Sequence, residues 1–167
     1  MKKIISSLIL LLLTFAVQTA FACSCDESEK KFDIVTGKVP FDGETSLESY
    51  KKSSGAIFIG KVLKIKKVKF LSEDHDWYNR EVTLSVSKSW VGADSQKIIV
   101  YTNKSDAACG FPFQKGVSYV VFADKEPQSL SAETYGDKLG VGWCSYTTSL
   151  YRAENILKGL GEAKISF

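Results

Sequence analysis

The clearest hydrophobic pattern in the chain is strict alternation over residues 82–87, where Val82, Leu84 and Val86 interleave with Thr83, Ser85 and Ser87. A period of two puts one set on a buried face and the other in water, so this segment is predicted as a strand that closes at Trp90-Val91-Gly92. An earlier strand is expected over residues 56–65. Its apolar run Ala56-Ile57-Phe58-Ile59 meets Gly60, which signals a bulge or tight bend. Val62, Leu63, Ile65, Val68 and Phe70 then continue among lysines. Residues 72–79 (SEDHDWYN) read as a hairpin loop. Residues 97–102 (KIIVYT) and 117–123 (VSYVVFA) are a third and fourth strand, and residues 139–144 (LGVGWC) a glycine-rich, curved fifth. The period changes over residues 149–160, where Leu150, Ala153, Ile156, Leu157 and Leu160 fall on one helical face and Gly161 supplies the stop. A short helix is expected over residues 46–52, capped by Thr45 or Ser46. Residues 26–45 are polar and turn-rich and read as an irregular surface segment.

Five strands, mostly antiparallel, with a helix at the end predict an all-β domain. Glycines in the first and fifth strands suit the coiling that closure into a small barrel requires. The OB-fold is the common five-stranded solution.

The first residues carry a different signal. Lys2 and Lys3, the apolar stretch through Leu8–Leu13 and Phe15-Ala16-Val17, and then Ala20-Phe21-Ala22 form the three regions of a secretory signal. The apolar stretch is too short for a permanent membrane span, and charges interrupt every later one. Residues 1–22 are therefore expected to be removed, leaving residues 23–167 as one domain with Cys23 first. That chain is secreted or periplasmic and is expected to be a monomer. Its composition changes the picture in one respect: the formal charge of +3 includes Lys2 and Lys3. The remainder is close to neutral and offers no strong field for nucleic acid.

All four cysteines, Cys23, Cys25, Cys109 and Cys144, lie beyond the cleavage site. An even number in an exported chain points to two disulfides. Of the three pairings, Cys23 with Cys25 is disfavoured by the strain of so small a ring. Either of the others ties the start of the domain to its distant second half, worth about 4–5 kcal/mol per bridge before strain.

Cys23-Ser24-Cys25 at the cleavage site, IFIGKV, a strand ending S-W-V-G, A-C-G-F-P-F at residues 108–113, G-V-S-Y-V-V-F-A, W-C and a closing helix stand in order. Together they resemble the bacterial relatives of the N-terminal domain of tissue inhibitors of metalloproteinases, within the netrin-like group. The likeness spans residues 23–161 apart from 26–45. It implies an OB-fold barrel with Cys23 bonded to Cys109 and Cys25 to Cys144. It also implies that the amine and carbonyl of Cys23 chelate the catalytic zinc of a target peptidase. Ser24 would face that enzyme's primary specificity pocket, and Ala107 and Ala108 would flank the inhibitory ridge. Catalytic zinc keeps an open position for water, so a bidentate N,O chelator can displace the nucleophile. An unperturbed α-amine titrates near ~7.7–8.0, which leaves a neutral fraction for coordination. The chain departs from the family in lacking a third disulfide and the second domain, and in placing Asp26-Glu27 directly after the C-x-C.

Other readings compete. A cysteine at the cleavage site is also what a lipoprotein signal offers, although such signals usually carry Leu where Ala20 stands. Lipidation of Cys23 would block the amine and leave a non-inhibitory envelope binding module for protein or glycan. Trp77, Tyr78, Trp90, Tyr101 and Trp143 suit an aromatic binding face, or simply a core. Lys61, Lys64, Lys66, Lys67 and Lys69 read as a solvated edge strand guarded against aggregation, or as a contact for anionic glycans or headgroups. His75, between Asp74 and Asp76, is a solvated loop residue. No HExxH, P-loop or nucleophile elbow occurs, so neither an enzyme nor a resident cofactor is expected.

Overall fold

The computed structural model describes residues 44–71, 76–105, 108–125 and 138–167. Helix α1 (Glu44–Ser53) leads into two long strands, β1 (Ala56–Leu71) and β2 (Asp76–Val91). Then come β3 (Lys97–Asn103), β4 (Ser118–Ala123), the two-residue β5 (Thr148–Ser149), a 3-10 turn (Leu150–Arg152), α2 (Glu154–Leu160) and β6 (Ile165–Ser166). The strands form one antiparallel sheet of six, ordered β3-β2-β1-β4-β5, with β6 beside β2.

The sheet has a filled side and a covered side. Phe58 and Val62 of β1, Val82 and Leu84 of β2, Val100 of β3 and Val121 of β4 meet in one buried cluster. The alternate positions Ile57 and Phe122 pack instead with Trp90, Leu47 of α1, and Ile156 and Leu160 of α2. The first residues of β1 and residues 120–123 of β4 are thus apolar on both faces, which is why residues 56–59 and 120–123 read as continuous apolar runs rather than alternating ones. The shift at Gly60 is real: the β1–β2 register slips between Ile59 and Gly60, and again between Val62 and Lys64. α2 ends at Gly161, whose φ of 68° and ψ of −153° form an extended positive-φ conformation that essentially only glycine adopts and that cannot continue a helix.

Four expectations differ from the structure. The helix expected over residues 149–160 is split: Ser149 ends β5, Leu150–Arg152 form a 3-10 turn, and the α-helix covers only Glu154–Leu160. The β1–β2 ladder runs on to Leu71 and Asp76, so residues 76–79 belong to a strand rather than to the hairpin loop. The α1 helix starts two residues before the expected 46 and ends one after 52. Residues 139–144 make isolated bridges and turns, not a fifth strand, because two glycines and a tight turn leave too few consecutive pairs for a ladder. The strand count rises to six through β5 and β6, pairs too short to show a period.

The bridges matter more than their length. Tyr101 N–H donates to the Leu139 carbonyl and Val141 N–H to the Tyr101 carbonyl, both at 2.8 Å, in a parallel bridge to β3. Gly140 exchanges both backbone hydrogen bonds with Asp124, at 2.8 and 2.9 Å, just beyond β4. Residues 139–141 therefore join the end of β3 to the end of β4. Among the described residues, no helix is long and apolar enough to cross a membrane.

Candidate functional site

The turn that follows β3 brings the two described cysteines together. Ala108 sits in a single 3-10 turn, and its N–H and that of Gly110 both donate to the Ser105 carbonyl, at 3.1 and 2.8 Å. Between them Cys109 adopts φ 59°, a conformation that costs a residue with a Cβ about 1 kcal/mol or more unless its surroundings hold it. They do hold it. The Asn103 side-chain amide donates to the Ala108 carbonyl, and Phe111 N–H donates to Thr102 Oγ1 at 2.7 Å. Arg80 of β2 clamps both ends of the loop, with Nε donating to the Asn103 carbonyl at 3.3 Å and Nη2 to the Phe111 carbonyl at 2.8 Å.

The second cysteine arrives from the bridged segment. Gly110 and Gly142 form an antiparallel bridge, and Trp143 N–H donates to the Cys109 carbonyl at 2.8 Å. Cys144 follows directly, and its carbonyl accepts from the Tyr50 hydroxyl of α1 at 3.3 Å. Both Cys109 and Cys144 are disulfide-bonded, and no described cysteine is free. Each is half-buried, whereas Trp143 between Gly142 and Cys144 is 38% exposed. The result is a double anchor at the surface, held by side-chain hydrogen bonds from the end of β3 and from α1 and by backbone bonds between the two cysteine segments.

Of the residues singled out in the sequence, Cys23, Ser24, Cys25 and Ala107 lie outside the described residues, as does His75. Ala108, Cys109 and Cys144 are brought into this one site. Trp90 is not on an aromatic face but in the core, with Nε1 donating to the Gly161 carbonyl at 3.0 Å. Tyr101 is partly buried on β3, its hydroxyl donating to Glu81 Oε2 at 3.3 Å. Burial first, and then the Glu81 carboxylate, push its phenol above the ordinary value of 10.0. Sequence reasoning missed Arg80, Asn103 and Tyr50. An arginine in a strand reads as solvated, and its carbonyl partners leave no trace in a pattern. Asn103 carried a usable signal, being an amide at the point where a strand gives way to a loop.

Neither a comparison with protein-family models nor one with curated proteins finds a match to this chain.

Proposed function

We propose that the exported chain, cut after Ala22, inhibits a zinc metallopeptidase by chelating its zinc through the amine and carbonyl of Cys23. Cys23 is bonded to Cys109 and Cys25 to Cys144, so the tripeptide through Ser24 is held extended across the turn. Ser24 enters the enzyme's primary specificity pocket, and Ala107 and Ala108 flank the ridge. The observation that carries this reading is the double anchor: the segments that bear Cys109 and Cys144, both disulfide-bonded, are joined by the Trp143–Cys109 hydrogen bond and the Gly110–Gly142 bridge. A chelator fused to such a platform loses little conformational freedom on binding.

The same reading makes the domain an OB-fold barrel. In support, β1 to β3 form a meander, β4 returns to the other side of β1, and residues 139–141 lie parallel to β3 and antiparallel to the residue after β4. These are the neighbours that a closed five-stranded barrel needs, with glycine-rich bridging in place of a full last strand.

The test begins with the unreduced mass of the exported protein. A mass for residues 23–167 lacking four hydrogens keeps the amine free; acyl chains on Cys23 would end the chelation mechanism. Inhibition of zinc endopeptidases by the free form should vanish when Ala is inserted before Cys23 or when the α-amine is acetylated. Inhibition that survives either change rules the mechanism out.

A further inference from the structure

The registers of β1, β2 and β3 build a grid on the side of the sheet opposite the filled core. Its rows are Lys61–Ser85–Lys97, Lys64–Thr83–Ile99 and Lys66–Glu81–Tyr101. The residues between them, Val82 and Leu84 on β2 and Val100 on β3, are in the core, so the grid faces outward. All four lysines are exposed. Glu81 is the one acid in the grid and is already engaged, its Oε1 lying 3.3 Å from Lys66 Nζ and its Oε2 accepting from Tyr101. Ile99 is 44% exposed at the centre of β3, and Leu63, in the bulge beside Lys64, is 38% exposed.

Protection of an edge accounts for the later lysines on β1. It accounts equally for Lys97 on the outer strand β3, but not for Lys61, which β1 holds between β2 and β4, nor for two exposed branched aliphatics set among the cations. Those cations also lie in two dimensions, about 10 Å across three strands and about 15 Å along them. A linear polyanion would follow one row and leave the aliphatics idle, whereas a plane of phosphates meets all three rows at once.

We propose that this face docks on an anionic phospholipid bilayer, with Lys61, Lys64, Lys66 and Lys97 on the headgroup phosphates and Leu63 and Ile99 at the acyl boundary. Basic clusters of this size are attracted to anionic leaflets, and apolar neighbours deepen the contact. The near-neutral charge of the rest of the chain leaves the attraction local to this face and sensitive to salt.

The test is sedimentation of the full exported protein with vesicles of phosphatidylcholine alone or with one-third phosphatidylglycerol. Binding should require phosphatidylglycerol and disappear at high salt. Each lysine is worth about fivefold in partitioning, so K64E/K97E should lower binding by about 25-fold or more, with thermal unfolding unchanged. K64Q/K97Q serves if the reversed charges disturb the fold. Ile99→Ser should weaken binding at constant charge. The charge-matched K52E/K164E, on exposed lysines outside the grid, should bind as the parent does. Absence of binding, indifference to anionic lipid, or an equal loss in K52E/K164E overturns the proposal. So does retention on a sulfated polysaccharide without vesicle binding, which would make the face a reader of linear polyanions.

Discussion

A Cβ placed on Gly110 would lie 2.3 Å from the carbonyl oxygen of Asn103. That approach lets Gly110 N–H reach Ser105 and lets the chain leave Cys109 toward Gly142. The Cys-Gly pair is therefore a backbone requirement of the anchor. Gly110→Ala should destabilise the domain by about 1–3 kcal/mol, the usual cost of forcing atoms into a packed site. Gly116→Ala, which meets nothing within 4 Å but sits at φ 84°, reports the cost of a left-handed φ by itself. If thermal unfolding finds Gly110→Ala as stable as the parent, the close approach at Gly110 is not a constraint.

Thr147 takes the place of a strand partner for β4. Its hydroxyl oxygen accepts from Phe122 N–H at 2.9 Å, and the hydroxyl donates back to the Phe122 carbonyl at 3.2 Å. Thr147 and Phe122 are both buried, so water cannot substitute. Thr147→Val keeps the volume and strands both backbone groups, which should cost about 1–3 kcal/mol in denaturant unfolding. Thr147→Ser keeps the hydroxyl and should recover most of that. A valine variant as stable as the serine variant would show that the exchange carries no weight.

The last residues are tied to β2 through Trp90. Its indole donates to the Gly161 carbonyl, and Lys164 and Phe167 N–H then donate to Ser89 and Ser87 at 2.9 and 3.0 Å. Trp90→Phe removes the first of these bonds, at about 1 kcal/mol. The sharper readout is hydrogen exchange. The amides of Lys164 and Phe167 should lose protection ahead of those in β1 and β4, whereas uniform loss would mean that Trp90 serves only as core volume.

Most of the sheet was legible because its strands are set by local alternation. Val82, Leu84 and Val86 announce β2, and the run around Gly60 announces both a strand and its irregularity. Ile156 and Leu160 announce the helix face in the same way. What escaped depends on partners far away in sequence. The extension of β2 back to Asp76 follows from its register with β1, not from its own polar residues. The segment 139–141 has strand neighbours on both sides yet pairs through single bridges, so a strand reading was right about placement and wrong about form. At the site, Cys109 and Cys144 could be marked by residue type, while Arg80 and Tyr50 act through backbone carbonyls 31 and 94 residues away. Nothing in a linear pattern links such groups.

The Tyr101–Glu81 pair sets an alkaline limit on stability. Partial burial and then the Glu81 charge hold the Tyr101 phenol above 10.0, and Tyr119 is raised as well, chiefly by burial. A raised folded value means that the unfolded chain releases its phenolic protons first. Stability is full below the unfolded value, near pH ~10, and falls as pH climbs from there through the folded values. Lys66, paired with Glu81, and Lys138, 6.0 Å from the Tyr101 ring centre, are the cations that face this pair. Glu81→Gln removes the charge but not the burial. The phenolate absorbance of Tyr101 should then appear at lower pH while staying above 10.0, and the alkaline loss of stability should shrink. Tyr101→Phe should remove the Tyr101 share of that loss and leave the share from Tyr119. An absorbance titration that does not move in Glu81→Gln would assign the shift to burial alone.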